Sequence, residues 1–383
     1  MDTLARLSHW TGSFLLLIGS LRLWRNVLFL RRAHGLTALP ETPPSVSVLV
    51  PARNEARTVS ACLESLVRQD YPNFNVTALD DQSSDETGAL LDGLAARYGN
   101  LTALHGAEPP HAGWNGKSYA CQRLAEQACG EWLLFTDADT VHTASSITRG
   151  IAQAEGLGVD LLSVFPRQIT QSWSERVVVS FIVDFLPLTA LDLTNLWRSK
   201  AGSAAANGQY LLVRAASYRA AGGHRAVSQA LVDDFALARR FRANGHRVAL
   251  VDGTAMLSCR MYHNGREVWQ GFSKNILLAL DSAPAERRPW WWALLFAWGY
   301  AAVFVLPFVW LLFPRYRRPA LLVIGWLGGL RGVVGWRLRR SPTEIVTTPL
   351  AGWSVMALGL GALFRRRRKL AVRWKDREYS GTR

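Results

Sequence analysis

The sequence lacks several features that mark common protein classes. Its four cysteines in 383 residues form neither a C-x-x-C pair nor a zinc-binding spacing, so nothing indicates a disulfide scaffold or a zinc module. No G-x-G-x-x-G fingerprint follows the first predicted strand, where the chain reads PARNE, and this argues against a Rossmann dinucleotide site. The sequence also has no internal repeat and no low-complexity segment. These absences leave an ordinary folded chain of one large or two smaller domains.

Acidic residues are also few, with 29 Asp and Glu against 44 Lys and Arg and a net charge of +15. Such a balance suits nucleic acid or an anionic membrane surface. The basic residues cluster beside apolar runs, and many of the 16 tryptophans flank the same runs, as at a membrane interface. We therefore expect a membrane, and no nucleic acid, as a partner. The basic clusters are Arg31-Arg32, Arg315 to Arg318, Arg337 to Arg340 and Arg365 to Lys369.

Long apolar runs near both ends divide the chain into four predicted segments. Residues 9–30 have spanning length and no small-residue cleavage site after them, which predicts an uncleaved N-terminal membrane anchor. Residues 45–280 are mixed in composition and predict a globular domain. Residues 290–364 return to apolar runs bordered by arginine and predict C-terminal membrane segments, with buried core helices as the alternative. Residues 365–383 form a basic tail.

The placement of arginine predicts a multi-pass protein of the cell membrane with residues 45–280 in the cytoplasm, because short cytoplasmic loops are rich in Lys and Arg. Three C-terminal runs are candidates to cross: 290–313, 320–336 and 347–364. Three full crossings would place the last arginine cluster outside. The middle run contains Arg331 and several glycines, so we expect it to be a re-entrant or surface helix and the tail to be cytoplasmic.

Within residues 45–280, strands alternate with helices, as in SVSVLVP followed by ARTVSACLESLVRQ and then NVTALDD. The pattern β-α-β-α-β-α-β predicts an α/β fold with a mostly parallel sheet covered on both faces. Ligands bind such sheets at the carboxyl ends of the strands. Three of those ends are polar, and we expect them to form one site. The three clusters are Arg53-Asn54-Glu55, Asp80-Asp81, and Asp137 with Asp139.

The stretch WLLFTDADT ends a buried strand with two carboxylates, Asp137 and Asp139. On an extended chain, residues i and i+2 point to the same side, so the two carboxylates would converge and need a cation between them. A small number of hard oxygen ligands suits Mg²⁺ or Mn²⁺, which also bind substrate phosphate. The alternative is a solvated turn in which Asp139 caps the helix that starts near Ser145.

Two other polar stretches have both a structural and a functional interpretation. GWNGKS (113–118) does not fit a P-loop, because the first glycine of that motif would fall on His111, but Lys117 remains a cation for phosphate. In DDQSSDET, a carboxylate of Asp80-Asp81 can accept a hydrogen bond from a base N–H, while Ser83-Ser84 supplies a helix cap. We expect both roles in that loop.

Four motifs, in this order and spacing, resemble family 2 glycosyltransferases of the GT-A (nucleotide-diphospho-sugar transferase) fold: SVLVPARNEARTVSACLESLVRQDYPNFNVTALDDQSSDET, GWNGKSYA, FTDADT and LVDDFALARRFRANGHRV. The resemblance covers residues 45–280. It implies a nucleotide-diphosphate sugar donor and an inverting, metal-dependent transfer. NGQYLLVR, GGHRAV and RMYHNGREVWQGFSKN also resemble the membrane-flanked subgroup similar to enzymes that glycosylate carotenoid acids or hopanoid-type lipids. A lipid acceptor and flanking transmembrane helices are therefore implied.

The resemblance also implies roles for individual residues. Asp137 would contact the nucleotide, and Asp139 would be the chief ligand of Mg²⁺ or Mn²⁺. Asp234 matches the catalytic base, and Asp233 stands where the family has Glu, which preserves the charge and shortens the reach. Helix N-capping is the alternative for this last pair. The other donor-site residues would be Pro51, Arg53, Asn54 and Glu55 around the nucleotide, Asp80 or Asp81 on the base, and Lys117 near the phosphates.

The later part of the predicted domain carries weaker signals. Arg260, His263 and Lys274 are candidates to meet the diphosphate late in the reaction. Residues 176–197 are apolar but interrupted, and they predict either core plus loop or a membrane-surface segment that admits a lipid acceptor. The Q-x-x-R-W motif of processive polysaccharide synthases is not formed at Gln270, so transfer of a single sugar is expected.

Two alternatives to single-sugar transfer remain open. A processive synthase of the same family is the first, and a non-catalytic membrane scaffold or transport protein is the second. A fold that has lost its activity is expected to have lost some of its carboxylates, whereas all the expected positions are filled here.

Overall fold

Short runs of aliphatic and β-branched residues form an eight-stranded sheet in the middle of the chain. Val48, Leu49 and Val50 are fully buried, as expected for a strand covered on both faces. The strands, in chain order, are β1 (Val46–Ala52), β2 (Phe74–Asp80), β3 (Leu101–His105), β4 (Trp132–Phe135), β5 (Thr140–His142), β6 (Leu161–Gln168), β7 (Leu211–Arg214) and β8 (Val248–Cys259).

The sheet is mixed and has the spatial order β3-β2-β1-β4-β7-β6-β8-β5. The first four strands in that order are parallel, as the β-α-β repeat predicts. β7 is antiparallel to β4 and β6, and β5 is antiparallel to β8, while β6 and β8 are parallel. The prediction of a mostly parallel sheet is thus confirmed in part, for β1 to β4 and for the pair of β6 and β8. β5 follows β4 after residues 136–139 only, which is too short for a crossover to a parallel neighbour of β4, and it pairs with β8 instead.

Helices follow most of the strands, and further helices lie towards both ends of the chain. They are α1 (Asp2–His34), α2 (Val59–Val67), α3 (Thr87–Arg97), α4 (Gly116–Gln127), α5 (Ser146–Leu157), α6 (Leu186–Ala190), α7 (Leu193–Arg198), α8 (Ala215–Ala220), α9 (Asp233–Ala243), α10 (Gly265–Ser282), α11 (Trp291–Phe304), α12 (Leu306–Trp310), α13 (Arg317–Arg337), α14 (Pro342–Val346) and α15 (Thr348–Arg367). A π-helix (Glu175–Phe185), two 3₁₀ turns (His224–Val227 and Pro314–Tyr316) and a small hairpin of β9 (Val372–Trp374) and β10 (Arg377–Tyr379) accompany them.

The computed structural model describes residues 1–106, 114–198, 204–230, 232–282, 291–368, 372–374 and 377–379, so the predicted P-loop position His111 lies outside the described residues. The chain forms two compact units. The sheet unit consists of Leu28–Ile169 and Leu193–Met261, and the helical unit of Met1–Val27, Thr170–Asp192 and Tyr262–Arg383. The division into four segments made from the sequence stays a prediction.

Two helices in the described part of the chain are long and apolar enough to cross a membrane, Asp2–His34 and Pro314–Arg337. The first contains the predicted anchor 9–30. The run 290–313 is not one helix, because α11 ends at Phe304 and α12 begins anew at Leu306. Core helices of soluble proteins can pass the same test of length and composition. The helices are therefore compatible with membrane association but do not support the predicted multi-pass arrangement.

Arg331, in the middle C-terminal run, is buried within the helical unit. Its side chain is 4% exposed and donates to Glu344 O at 2.8 Å, within the helical unit. The guanidinium also lies over the ring of Phe185, 5.1 Å from its centroid. A charge that faces the interior of a helix bundle does not prevent the helix from crossing a membrane. A surface or re-entrant helix for 320–336 therefore stays a prediction.

The interrupted apolar stretch 176–197 is mainly core. Val177, Phe181 and Phe185 are at most 1% exposed within the helical unit. The exposure that a membrane-surface segment requires is therefore missing from the π-helix, and the core interpretation applies there. Gly12 lets α1 and α11 approach closely in the same unit, because a Cβ on it would lie 2.6 Å from Ala302 O.

Candidate active site

The loops after β1 and β2 interlock at the carboxyl edge of the parallel strands. Arg53 donates from Nη1 to Asp81 O at 2.5 Å, and Asn54 Oδ1 accepts from Ser84 N at 2.8 Å. Asn54 and Gln82 have φ values of 52° and 57°, in the left-handed region that costs a non-glycine residue about 1–3 kcal/mol. The hydrogen bonds between the loops hold both residues in these conformations. Two of the predicted polar clusters therefore form one rigid rim.

Glu55 and Asp80 shape this rim from within. Glu55 N donates to Thr87 Oγ1 at 2.8 Å, while its carboxylate accepts from Thr58 Oγ1 at 2.9 Å. Asp80 Oδ1 accepts from Ser83 N at 3.1 Å. Asp80 thus holds the turn, and a contact of Asp80 or Asp81 with a base N–H stays a prediction.

The predicted serine cap of the next helix is wrong. α3 begins at Thr87, beyond Ser83 and Ser84, and Asp85 Oδ1 accepts from Thr87 N at 3.0 Å. Ser83 instead accepts from Asn54 N at 2.9 Å and ties the two loops together. An aspartate side chain reaches the first turn of this helix because it lies two residues before Thr87.

Lys117 supplies the cation that the strand-end carboxylates need. Asn115 caps α4 by accepting from Lys117 N at 3.2 Å, which fixes the start of the helix that presents the lysine. Lys117 Nζ lies 2.6 Å from Asp137 Oδ1, with 38% and 28% of the two side chains exposed. Burial lowers the pKa of Lys117, but Asp137 and then Asp233 outweigh it and hold the pKa well above its ordinary value. The lysine is therefore a permanent cation.

The segment from Asp137 to Asp139 is a turn rather than an extended chain, which corrects the geometry expected for the D-x-D pair. Thr140 Oγ1 donates to Asp137 O at 2.7 Å and closes the turn. Asp137 faces Lys117. Burial, and then the nearby Asp139 carboxylate, raise the pKa of the Cys259 thiol. The alternative role of Asp139 as a helix cap is wrong, since α5 begins only at Ser146.

A buried histidine, not identified from the sequence, supports this turn. His142 Nε2 is 3.1 Å from both Thr136 Oγ1 and Thr140 Oγ1, and Nδ1 is 2.9 Å from Ser146 Oγ. Burial lowers the pKa of His142 to about 3, so the imidazole is neutral. A neutral ring can both donate and accept, which lets it join hydroxyls on both sides. The position of the Asp137 carboxylate therefore depends on a network behind the strand.

The residues at this turn fit a hard divalent ion that is completed by substrate. Asp137 and Asp139 supply two carboxylates, and the described residues contain no cluster of three His, Cys, Asp or Glu side chains that could hold a metal ion. Mg²⁺ and Mn²⁺ commonly bind one or two carboxylates together with substrate phosphates. The donor set therefore suits an ion that arrives with a diphosphate rather than a permanent structural ion.

A second pair of carboxylates, Asp233 and Asp234, starts α9. Asp234 Oδ2 accepts from Gly208 N at 2.8 Å, and Oδ1 accepts from Phe235 N at 2.7 Å. Burial, and then the neighbouring Asp233, raise the pKa of Asp234 to about 7, and Lys117 opposes this rise. A carboxylate with a pKa near 7 is suited to general-base catalysis. The residue before the helix, Val232, forms no side-chain cap, and Asp234 bonds outward to Gly208 instead.

Gly208 shows how close the two charged groups come. A Cβ on this glycine would lie 3.3 Å from Lys117 Nζ and 3.4 Å from Asp234 Oδ2. Lys117 and Asp234 thus flank the same backbone position, in the NGQYLLVR stretch just before β7. A small cavity opens beside them, and its lining includes Pro51, Lys117, Asp137, Gly208, His224 and Asp233.

Three candidates for a late contact with the diphosphate do not join this group as a set. Arg260 belongs to the sheet unit, whereas His263 and Lys274 belong to the helical unit. His263 N donates to Glu267 Oε2 at 2.8 Å, and its Nδ1 is 3.5 Å from the same oxygen. The side chain of Lys274 lies outside the described residues. A role for these three residues stays a prediction.

The groups in this region are suited to three different chemical roles. A permanent cation and two hard carboxylates can hold a phosphate group with a divalent ion. A carboxylate with a raised pKa, held by two backbone N–H groups, can accept a proton nearby. The rim of Arg53, Asn54 and Asp81 can receive a planar base. This combination fits a nucleoside diphosphate that carries a group to be transferred.

Comparisons with known proteins agree with that chemistry. Residues 47–230 match the family model described as glycosyl transferase family 2. The 4,4'-diaponeurosporenoate glycosyltransferase of Staphylococcus aureus strain MRSA252 is 25% identical over 299 residues, covering 77% of this chain and 76% of the relative. The protein of the same name from strain USA300 is 26% identical over 272 residues, covering 70% of each.

A solved structure is similar in fold. It is the mannosyltransferase PcManGT from Pyrobaculum calidifontis, in complex with GDP-Man and Mn²⁺, with a TM-score of 0.53 and 15% identity over 93% of this chain and 99% of that one. The likeness supports the expected GT-A-like α/β fold. The family model and the relatives agree with that fold, and they show that this chain is similar to family 2 glycosyltransferases.

Proposed function

We propose that the protein transfers a single sugar, with inversion at the anomeric carbon, from a nucleoside-diphosphate sugar to a membrane lipid that bears a carboxylate or hydroxyl. The observation that supports this most directly is the base Asp234, held by Gly208 N at 2.8 Å beside a lysine that pairs with Asp137. The relatives named for glycosylating 4,4'-diaponeurosporenoate make an apolar carboxylic acid the first acceptor to test.

The donor would bind along the rim and the D-x-D turn. Arg53, Asn54, Glu55 and Pro51 would surround the nucleotide, and Asp81 would accept from the base. Lys117 would exchange its contact with Asp137 for the donor phosphates. Breaking the ion pair would cost little free energy, because a pair with this much exposure contributes only about 0–1 kcal/mol to stability. Asp137 and Asp139 would hold Mg²⁺ or Mn²⁺, which when bound neutralises charge on the leaving diphosphate.

The transfer itself forms one bond and breaks one. An acceptor oxygen attacks the anomeric carbon on the face opposite the diphosphate, and the C–O bond to the phosphate breaks as the nucleoside diphosphate leaves. A hydroxyl acceptor must lose its proton, and Asp234 would take it. A carboxylate acceptor is already ionised, so Asp234 would then only orient it. One catalytic carboxylate on the acceptor side is what an inverting displacement requires.

Membrane association would bring the enzyme to its acceptor. The helices Asp2–His34 and Pro314–Arg337 have the length and composition to enter a membrane. We place the donor site on the cytoplasmic side, where nucleotide sugars are made, as an N-terminal anchor followed by Arg31-Arg32 predicts. Labelling of single cysteines introduced at residues 40 and 383 tests this placement, and reaction of residue 40 from the outside only would overturn it.

The activity can be tested with the full-length protein in detergent. GDP-mannose, UDP-glucose and UDP-N-acetylglucosamine serve as donors, and a long-chain apolar carboxylic acid and the matching alcohol as acceptors. We expect one sugar per acceptor by mass spectrometry and a β-anomer from an α-linked donor by NMR coupling. Retention of configuration would refute inversion, and a ladder of sugar additions would indicate the processive alternative.

Divalent ions provide a second test. Chelation with EDTA, or Asp139→Ala, should remove sugar transfer while the thermal unfolding midpoint stays within about 2 °C, because the two-carboxylate site contributes to donor binding rather than to folding. Re-addition of Mn²⁺ should restore the chelated wild type but not the variant. Full transfer in excess chelator would contradict a metal-dependent mechanism.

A further inference from the structure

His224 is a buried histidine of the sheet unit to which nothing above assigns a role. It follows two glycines with positive φ, Gly222 at 85° and Gly223 at 55°. A Cβ on Gly223 would lie 2.7 Å from the ring of Tyr218, so the glycine lets that ring pack against the backbone. The two glycines therefore allow the turn to bring the Tyr218 hydroxyl next to the His224 ring.

Two hydrogen bonds with Tyr218 settle which nitrogen of His224 carries the proton. The backbone N of His224 donates to Tyr218 Oη at 3.0 Å, and Oη lies 2.8 Å from His224 Nδ1. Tyr218 is 3% exposed, and no other described residue is hydrogen-bonded to its hydroxyl. If Nδ1 carried the proton, the hydroxyl hydrogen would be buried without an acceptor, at a cost of about 1–3 kcal/mol. Tyr218 therefore donates to Nδ1.

The consequence is a neutral imidazole with its hydrogen on Nε2. Burial lowers the pKa of His224 to about 4, so the ring does not carry a second proton at neutral pH. The ring is 2% exposed and packs edge-on against Phe135, with centroids 4.8 Å apart. A neutral imidazole with Nδ1 as acceptor must present Nε2–H as a donor.

His224 belongs to the lining of the small cavity next to Gly208. His224 lines it together with Lys117, Asp137, Gly208 and Asp233. No described residue is hydrogen-bonded to His224 Nε2, and none donates to the carboxylate of Asp233, which is only 9% exposed. Buried polar groups are nearly always satisfied. An N–H donor and a carboxylate acceptor in one cavity require an occupant that both accepts and donates.

We propose that His224 donates a hydrogen bond from Nε2 to a hydroxyl of the donor sugar. The carboxylate of Asp233 accepts a hydrogen bond from the same hydroxyl or from the adjacent one. A hydroxyl offers one donor and two lone pairs, which matches both groups. This inference rests on the proposed function, because it assumes a nucleotide sugar in the site. It explains the shorter Asp233, since the histidine supplies the second polar contact in this cavity. His224 is then a residue that determines which sugar is bound.

Donor binding without an acceptor tests this proposal apart from the transfer reaction. Dissociation constants of GDP-mannose, UDP-glucose and UDP-N-acetylglucosamine, and of GDP and UDP, are measured by calorimetry with Mn²⁺ on the full-length protein. His224→Phe keeps the ring and loses the N–H, while His224→Gln keeps an N–H at similar reach. His246→Phe, in the same unit but not in the cavity lining, is the matched control.

We expect His224→Phe to weaken binding of the preferred nucleotide sugar about 5- to 150-fold, because the sugar hydroxyl would be left without its hydrogen-bond partner in the complex. Binding of GDP and UDP should be unchanged, and His224→Gln should recover most of the loss. Equal weakening of nucleotide sugar and free nucleotide would show a structural role and overturn the proposal. Equal affinity of wild type and His224→Phe for the sugar nucleotide would also overturn it.

Monodeoxy analogues of the preferred donor identify the hydroxyl. One analogue should bind to the wild type more weakly than the full donor, by the same factor as the full donor loses in His224→Phe. The variant should bind that analogue and the full donor with equal affinity. Equal additional losses for every analogue would contradict a sugar contact. If His224→Phe does not fold, Tyr218→Phe replaces it, because that variant frees the Nδ1 tautomer without removing either ring. Failure of sugar transfer to any acceptor would refute the proposed function, but these binding ratios would still decide the role of His224.

Discussion

Each compact unit contains a carboxylate and a cation 2.6 Å apart, and the two pairs differ in exposure. In the sheet unit, Lys117 and Asp137 have 38% and 28% of their side chains exposed. In the helical unit, Arg340 and Asp184 have 10% and 6% exposed. An exposed pair contributes about 0–1 kcal/mol and can be replaced by a ligand, whereas breaking a buried pair costs about 3–5 kcal/mol. The same contact therefore serves binding in one unit and folding in the other.

The neighbours of the two pairs reinforce the difference. Lys117 lines a small cavity together with the carboxylates of Asp137 and Asp233. Around Arg340, the Glu344 carboxylate lies at 3.9 Å and is 5% exposed, and Thr170 Oγ1 donates to it at 3.3 Å. The charged side chains of the helical unit therefore lie next to one another inside the fold. In the sheet unit, we expect the charged side chains around Lys117 to be completed by a bound substrate.

The largest expected effect is on catalysis in the sheet unit. Asp234→Asn should reduce transfer to a hydroxyl acceptor about 10²- to 10⁴-fold, because the amide cannot accept the proton. Donor affinity and the unfolding midpoint should stay close to wild type. Initial rates at saturating donor, with calorimetric donor binding as control, measure this. Loss of donor binding in proportion to the rate would instead assign Asp234 to the donor site.

The next effect concerns folding of the helical unit. Arg340→Met should lower the free energy of unfolding by about 3–5 kcal/mol, since it leaves Asp184 buried without its cation. The double variant Arg340→Met, Asp184→Leu should recover most of that loss. Denaturant unfolding in detergent, followed by tryptophan fluorescence, reports the change. If Arg340→Met were as stable as the wild type, the ion pair of Arg340 and Asp184 would not contribute to folding, and the two pairs would not differ in this respect.

Lys117→Met provides the matched change in the sheet unit. Its effect on unfolding should be at most about 1 kcal/mol, as for other partly exposed pairs. Affinity for UDP or GDP should fall about 10- to 100-fold, because a charge-assisted hydrogen bond to phosphate contributes about 1.5–3 kcal/mol. Lys117→Arg keeps the charge and serves as control. A variant that loses stability but binds nucleotide normally would reverse the assignment.

The smallest expected effect is a dependence on pH. Burial and Asp233 raise the pKa of Asp234 to about 7. A base must be ionised, so transfer to a hydroxyl should fall about tenfold per pH unit below pH 7 and level off above it. With a carboxylate acceptor, the transfer rate should not fall between pH 7 and pH 5, because no proton is transferred. Lys117→Met should move the midpoint upward, since the lysine opposes the rise in the pKa of Asp234.

The local order of elements followed from the sequence, because the signals are local. The runs around Val48 and Leu134 are apolar and short, and helical spacing separates them, so β1 to β4 and α2 to α4 were predictable. The family motifs likewise named Lys117, Asp137 and Asp234 without a structure. The structure brings these three together around Gly208, on strands and helices that are far apart in the chain.

Other features were decided only by the tertiary structure. The antiparallel half of the sheet depends on which strands β7 and β5 meet, and no local pattern encodes that pairing. His142, Gly208 and His224 gained their roles from distant partners, and the only signal for His224 was a histidine after two glycines. Charge and apolarity are local properties that the sequence determined. Burial, which makes one 2.6 Å ion pair structural and another replaceable, is a property of the whole fold.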